Sequence, residues 1–123
     1  EWQVMRRHPN FAAMIMAPCA ELRALIPLVQ SHHERYDGTG YPAGLSGNNI
    51  PLGGRILALA DAFTTMAEGR PYQPAYSVPQ TLEEITRCNQ SQFDPKVVHA
   101  MMTLVARGRI DDVLFWRNAR AAM

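Results

Sequence analysis

The stretch His32-His33-Glu34-Arg35-Tyr36-Asp37-Gly38-Thr39-Gly40-Tyr41-Pro42 joins two adjacent imidazoles to a glycine-rich turn. Neutral imidazole is the commonest side-chain ligand for transition metals in proteins. Two neighbouring histidines on a helix would point about 100° apart, so they suit two different ions better than one. The pair therefore indicates a multinuclear site that activates water beside a phosphate. Taken alone, an HH pair is more often a helix end with one exposed and one packed side chain.

Residues 35–51 predict a long ordered loop, because the segment also contains the anchoring side chains Tyr36, Tyr41 and Leu45. Its glycines permit positive φ and allow backbone N–H groups to approach a phosphate. A simple turn without a ligand is the plainer interpretation of this spacing. An EF-hand calcium loop is excluded, since the acidic positions are not repeated.

Outside this loop the apolar residues have helical periodicity without sustained strand alternation, which predicts an all-α helix bundle with long Gly/Pro-rich loops. The predicted helices cover residues 2–7, 11–17, 21–34 with a break near Pro27, 52–68, 77–88, 94–108 and 111–119. Gly69 should end one helix, Ser77-Val78-Pro79-Gln80 is typical of a capping box, and Asp94-Pro95 should begin another helix.

The helix predicted over residues 52–68 contains one acidic residue in an apolar run. A single face carries the apolar residues Ile56, Leu59, Ala60, Phe63 and Met66. An ionised Asp61 in such surroundings is costly unless it is paired or bound to a metal. An exposed position on the polar face is the alternative.

The composition is that of one globular domain. Hydrophobic residues make up 47% and charged residues 19% of the 123 residues, and the net charge is +1. This balance gives no reason to expect DNA or a membrane surface as a partner. Cys19 and Cys88 have no metal-type spacing, and neither a secretory signal nor an apolar run of about 20 residues is found. We therefore expect a cytoplasmic protein without a membrane segment.

Taken together, the motifs resemble those of the HD-GYP domain, a bacterial family of metal-dependent phosphodiesterases that hydrolyse cyclic di-GMP in signal transduction. Besides the block 32–42, they comprise His8-Pro9, Ala60-Asp61, Arg70-Pro71-Tyr72 and Gln92-Phe93-Asp94-Pro95, in the family's order. The resemblance covers about residues 8–106 and implies the helix bundle of HD-type phosphohydrolases.

The resemblance implies roles for particular residues. It assigns His8, His32, His33 and Asp61 to a site for two or three iron or manganese ions. It assigns Gly40, Tyr41 and Pro42 to a loop that lines the substrate groove and can contact a partner signalling domain. It places Arg70 beside the nucleotide phosphate, where a planar guanidinium is well suited. A helix-end arginine that bonds backbone carbonyls is the alternative for that residue.

Two positions depart from the family. Thr64 stands where the family usually has a second Asp, and Gln73 stands where a basic residue commonly follows Arg-Pro-Tyr. These changes leave two alternatives to a cyclic di-GMP phosphodiesterase. One is a non-catalytic module that binds nucleotide or a partner, and the other is a phosphohydrolase for another nucleotide.

The chain begins with Glu1, and Trp2, Val4 and Met5 follow at roughly helical spacing, as though within a helix. The family's His-Asp pair normally precedes the His-Pro element and is not found in these residues. We therefore expect residues 1–123 to be the C-terminal part of an HD-GYP domain that is inactive alone. Such a piece should expose apolar helix faces and self-associate.

Overall fold

The computed structural model describes residues 2–110, and this part of the chain is helical without a strand. Its α-helices are α1 (Trp2–Met5), α2 (His8–Met16), α3 (Ile26–Gln30), α4 (Leu52–Glu68), α5 (Val78–Arg87) and α6 (Pro95–Ala106), and its 3₁₀ helices are Ala20–Leu25 and Gly47–Asn49. The predicted all-α fold is confirmed, and the helix predicted over residues 111–119 lies outside the described residues. None of the described helices is both long and apolar enough to cross a bilayer.

Three helix boundaries follow from local sequence signals, as predicted. Gly69 ends α4 with a φ of 73°, a backbone conformation that glycine adopts without strain. Ser77 and Gln80 form a reciprocal capping box at the start of α5. The Asp94 carboxylate accepts a hydrogen bond from the Lys96 N–H at 2.8 Å and caps α6.

The core lies where α4, α5 and α6 meet. Its buried side chains are Leu59, Phe63, Ala67, Ile85, Phe93, Val97 and Val98. The predicted apolar face of α4 is correct at Leu59, Phe63 and Met66 but wrong at Ile56 and Ala60, which are exposed. Periodicity identifies apolar residues on one side of a helix but does not show which of them meet a packing partner.

The helix predicted over residues 21–34 is wrong in its extent. A 3₁₀ helix covers Ala20–Leu25, and α3 begins at Ile26 with Pro27 in its first turn. Proline is tolerated there because a backbone N–H in the first turn has no acceptor within the helix. The buried Ser31 hydroxyl contacts the Pro27 carbonyl oxygen at 2.7 Å, next to the end of α3 at Gln30. The two adjacent histidines therefore lie in a turn.

Two glycines at the start of α4 allow α3 to lie directly against it. A Cβ on Gly54 would collide with the Ser31 side chain, and one on Gly53 would collide with Leu28. This close approach holds the turn after α3 beside α4. The start of α2 was also predicted too late, because Pro9 fits its first turn and allows the helix to begin at His8.

We expect the 123-residue chain to self-associate, because apolar side chains of α2 are exposed. Phe11 is 51% exposed, Met14 70% and Ile15 79%. Burial of such surface between copies is favourable in proportion to its area. Sedimentation velocity over a range of concentrations should show oligomers, and Met14→Glu combined with Ile15→Glu should reduce them. A strictly monomeric wild-type chain would contradict this prediction.

Candidate metal centre and substrate cleft

Three histidines from two segments of the chain lie close together. His8 begins α2, whereas His32 and His33 belong to the turn after α3. One ring nitrogen of each lies within 4.8 Å of the others. The Nε2 atoms of His8 and His33 are 2.9 Å apart, close to the spacing of about 3 Å between two neighbouring ligands of one ion at about 2.1 Å. The group can therefore bind a metal ion.

Backbone carbonyls fix the orientation of two of these rings. The Nδ1 atom of His8 lies 2.6 Å from the Met5 carbonyl oxygen, and that of His32 lies 2.5 Å from the Val29 carbonyl oxygen. Because a carbonyl oxygen only accepts, each Nδ1 carries the proton and donates it. This leaves the lone pair on Nε2, an arrangement common for metal-binding histidines.

The electrostatics of the group favour neutral imidazole at His33. Burial lowers the pKa of His33 to about 4, and the charges of His32 and His8 act in the same direction. The Asp61 carboxylate opposes this shift but does not offset it. His33 is therefore neutral near pH 7, the form that a metal ligand requires.

His32 and His33 do not lie on a helix, as the prediction that they suit two separate ions assumed. His32 and His33 follow α3, and their ring centroids are 4.0 Å apart at an interplanar angle of 43°. Both rings join the same group as His8. The turn therefore brings neighbouring residues together where a helix would separate them.

The histidine turn opens into a cleft of about 500 Å³, a volume within the range of small-molecule sites. Asp61 and Arg70 line this cleft together with His32, His33 and Tyr41. Asp61 is exposed on α4, so the sequence argument that burial demands a metal partner does not apply. The carboxylate is nevertheless close enough to His33 to act on its pKa.

The three residues of the Gly-Tyr-Pro sequence have different surroundings. The Tyr41 ring stacks on the His33 ring with centroids 5.0 Å apart and 20° between the planes. The Arg6 guanidinium carbon lies 5.2 Å from the Tyr41 ring centroid. Gly40 packs against the backbone of residues 33–35. Pro42 lines a separate cavity of about 410 Å³, so the structure does not bring it into the histidine cleft.

Both departures from the family pattern hydrogen-bond within the protein. The Thr64 hydroxyl donates to the Ala60 carbonyl oxygen at 2.9 Å. The Gln73 side-chain amide donates to the Tyr76 hydroxyl at 3.1 Å. Neither residue contributes a charge where the family usually has one.

Sequence reasoning missed Glu34, which lies between the histidines and the glycine-rich loop. Its side chain is buried, with 3% of the residue exposed. Its carboxylate accepts hydrogen bonds from loop residues 43 and 45. Its place directly after the two histidines was the only sequence signal for a functional role. The burial of Glu34 could not be predicted, because it is caused by a loop that lies later in the sequence.

Three comparisons relate the chain to known proteins. A profile of the HD domain family matches residues 1–97. The chain is 37% identical over 111 residues to a cyclic di-GMP phosphodiesterase of Vibrio cholerae serotype O1, and the alignment covers 85% of this chain and 23% of that protein. It is 40% identical over 113 residues to the cyclic di-GMP phosphodiesterase response regulator RpfG of Xanthomonas campestris pv. campestris, and that alignment covers 89% of this chain and 28% of the relative. The crystal structure of a cyclic GMP-AMP specific phosphodiesterase from Vibrio cholerae matches with a TM-score of 0.61 and 32% identity over 71% of this chain and 20% of that one.

The chain thus spans less than a third of the length of these relatives. The profile match nevertheless includes the histidine group, the loop that follows it and Asp61. The fold is all-helical in the described residues, as is expected for this family. This chain therefore belongs to the HD domain family and, within it, to the HD-GYP type.

Proposed function

We propose that the protein is a metal-dependent phosphodiesterase that hydrolyses the 3′–5′ phosphodiester bond of cyclic di-GMP. The observation that carries this proposal is the grouping of His8 with His32 and His33, two histidines that line a cleft together with Asp61 and Arg70. The names of the curated relatives support the same substrate. Residues 1–123 would form the C-terminal part of the catalytic domain.

The donor set of the cleft fits iron or manganese. His8, His32 and His33 offer imidazole nitrogens, and Asp61 offers carboxylate oxygens. Cys88 also lines the cleft but does not belong to the group of three histidines. A nitrogen and oxygen set without thiolate is typical of iron and manganese. When bound, two or three such ions would polarise the phosphate and activate a water.

Two residues of the chain would act on the substrate directly. The Arg70 guanidinium, in the same cleft as the histidines, would bind the non-bridging phosphate oxygens through its planar N–H groups. It would also stabilise the negative charge that develops there during hydrolysis. Tyr41, held by its stacking on His33, would form one wall of the groove.

The test of this proposal measures metal content and turnover in the complete gene product. We expect iron or manganese to co-purify, and His32→Ala and Asp61→Ala to remove metal and to lower turnover by at least about a hundredfold. His99→Ala, an exposed histidine on α6, is the matched control and should retain both. Assays should include 3′3′-cGAMP, because relatives specific for it are 31–36% identical to this chain. A wild-type protein without metal or turnover after reconstitution would contradict the proposal.

A second candidate is a domain that binds a cyclic dinucleotide, or a partner signalling domain through residues 40–42, without turnover. The uncharged side chains of Thr64 and Gln73, both hydrogen-bonded within the protein, favour this candidate. Calorimetric titration with cyclic di-GMP distinguishes the two functions. Binding without hydrolysis by metal-loaded protein would support the second candidate.

A further inference from the structure

Glu34 is a buried carboxylate whose partners both belong to the loop that follows the histidines. Its Oε1 atom accepts a hydrogen bond from the Ala43 N–H at 2.7 Å, and its Oε2 atom accepts one from the Leu45 N–H at 3.0 Å. A buried carboxylate is costly unless hydrogen bonds compensate it, and such charge-assisted bonds are stronger than neutral ones. Both oxygens are therefore committed to holding residues 43–45.

The same loop also contacts the histidine turn directly. The Tyr41 N–H donates to the His33 carbonyl oxygen at 3.2 Å, and the two rings are stacked. Gly40 approaches the turn so closely that a Cβ would lie 2.6 Å from the His33 carbonyl oxygen. Residues 40 and 41 thus contact the backbone of the turn, and residues 43 and 45 bind the Glu34 side chain.

The hydrogen-bond partners of Glu34 lie outside the hydrophobic core. The core lies among α4, α5 and α6, whereas both partners of the Glu34 carboxylate are in an irregular loop. Loss of the carboxylate should release the loop while the core remains packed. Tyr41, on that loop, lines the cleft where the dinucleotide is proposed to bind.

We propose that Glu34 is a positioning residue that holds residues 40–45 against the histidine turn and thereby sets the affinity for the dinucleotide. This inference rests on the proposed function for its effect on substrate, but the hold on the loop can be tested without turnover. Glu34 also lines the cleft, but both of its carboxylate oxygens accept hydrogen bonds from the loop backbone, so we assign the side chain to holding the loop.

The experiment compares Glu34→Gln and Glu34→Ala with Glu83→Gln, which replaces an exposed carboxylate on α5, in the complete gene product. Hydrogen exchange followed by mass spectrometry should show the amides of Ala43 and Leu45 exchanging at least about tenfold faster in Glu34→Ala. Glu34→Gln keeps one accepting oxygen, so it should retain part of the protection. Glu83→Gln should match wild type.

Kinetics then separate positioning from general damage. KM for cyclic di-GMP should rise about tenfold in Glu34→Gln and further in Glu34→Ala, while kcat changes less than about threefold. The metal content per chain should stay at the wild-type value, because the three histidines are unchanged. A melting temperature close to that of wild type in Glu34→Gln would confirm that this variant is folded.

Three results would overturn the inference. They are unchanged exchange in Glu34→Ala, unchanged KM despite a released loop, and loss of metal in proportion to the loss of affinity. If the wild-type protein shows no turnover with any cyclic dinucleotide, the proposed function fails instead. The exchange and metal measurements would still decide whether Glu34 holds the loop.

Discussion

Gly40→Ala should destabilise the fold around the histidine turn by roughly 3 kcal/mol, near the upper end of typical overpacking costs. The added Cβ would lie 2.6 Å from the His33 carbonyl oxygen and 2.7 Å from the Glu34 Cα, and would also collide with the Arg35 N atom. All three are backbone atoms, so no side-chain rotation can relieve the collision. The loop would have to move away, with loss of the Tyr41 hydrogen bond to His33. Thermal unfolding of the variant should show a clearly lower Tm.

Gly47→Asn is the matched control for this substitution. No heavy atom lies within 4 Å of the Cβ position at Gly47, and its φ of 54° is one that asparagine tolerates. The control should unfold close to the wild-type temperature. Equal Tm values for Gly40→Ala and wild type would show that the close approach of Gly40 to the turn is not required.

Asp94→Ala should reduce the free energy of unfolding by about 3–5 kcal/mol, the usual cost of removing one partner of a buried ion pair. The Asp94 side chain is 1% exposed and is paired with Arg55, whose side chain is 12% exposed. The Nε atom of Arg55 has no hydrogen-bond partner in the described part of the chain, and its Nη1 atom donates to the Asn48 Oδ1 atom at 3.3 Å as well as to Asp94. The substitution would therefore leave a largely buried guanidinium without a carboxylate partner and also remove the cap of α6. Urea denaturation measures the change.

Two further variants test this explanation of the Asp94 effect. Asp94→Asn keeps an oxygen that can accept from Lys96 N–H, so it should fall between Ala and wild type. Glu84→Ala removes an ion pair with Arg87 that lies on the surface, with side chains 35% and 70% exposed. Such pairs contribute little, so the urea midpoint should hardly change. A similar loss for Glu84→Ala and Asp94→Ala would contradict the role of burial.

The features that could be predicted from sequence are those that neighbouring residues determine. Gly69, Ser77 and Asp94 act within one helical turn of their own positions, and all three predicted boundaries were correct. The long ordered loop followed from the density of glycine and proline with aromatic anchors. The motifs also identified the family, because their order is specific even where each motif alone is weak.

The features that could not be predicted depend on contacts between distant residues. Periodicity extended a helix through His33, whereas the structure ends α3 at Gln30, at a turn that packs closely against the start of α4. The ion pair between Arg55 and Asp94 joins residues 39 positions apart, so no local pattern reveals it. The burial of Glu34 likewise depends on the path of the loop over residues 35–51. The sequence predicted that this loop exists but not that it folds back over Glu34.

The position of α2 in the fold has a consequence for the robustness of the histidine group. This helix packs mainly on the short α3, outside the core that α4, α5 and α6 share. Only Pro9 and Ala13 of α2 are buried, so little apolar surface opposes its detachment. Partial opening at this edge would withdraw His8 while the core stays intact. The capacity to bind metal would then be lost under milder conditions than those that unfold the domain. Measurements of global unfolding would not detect this loss.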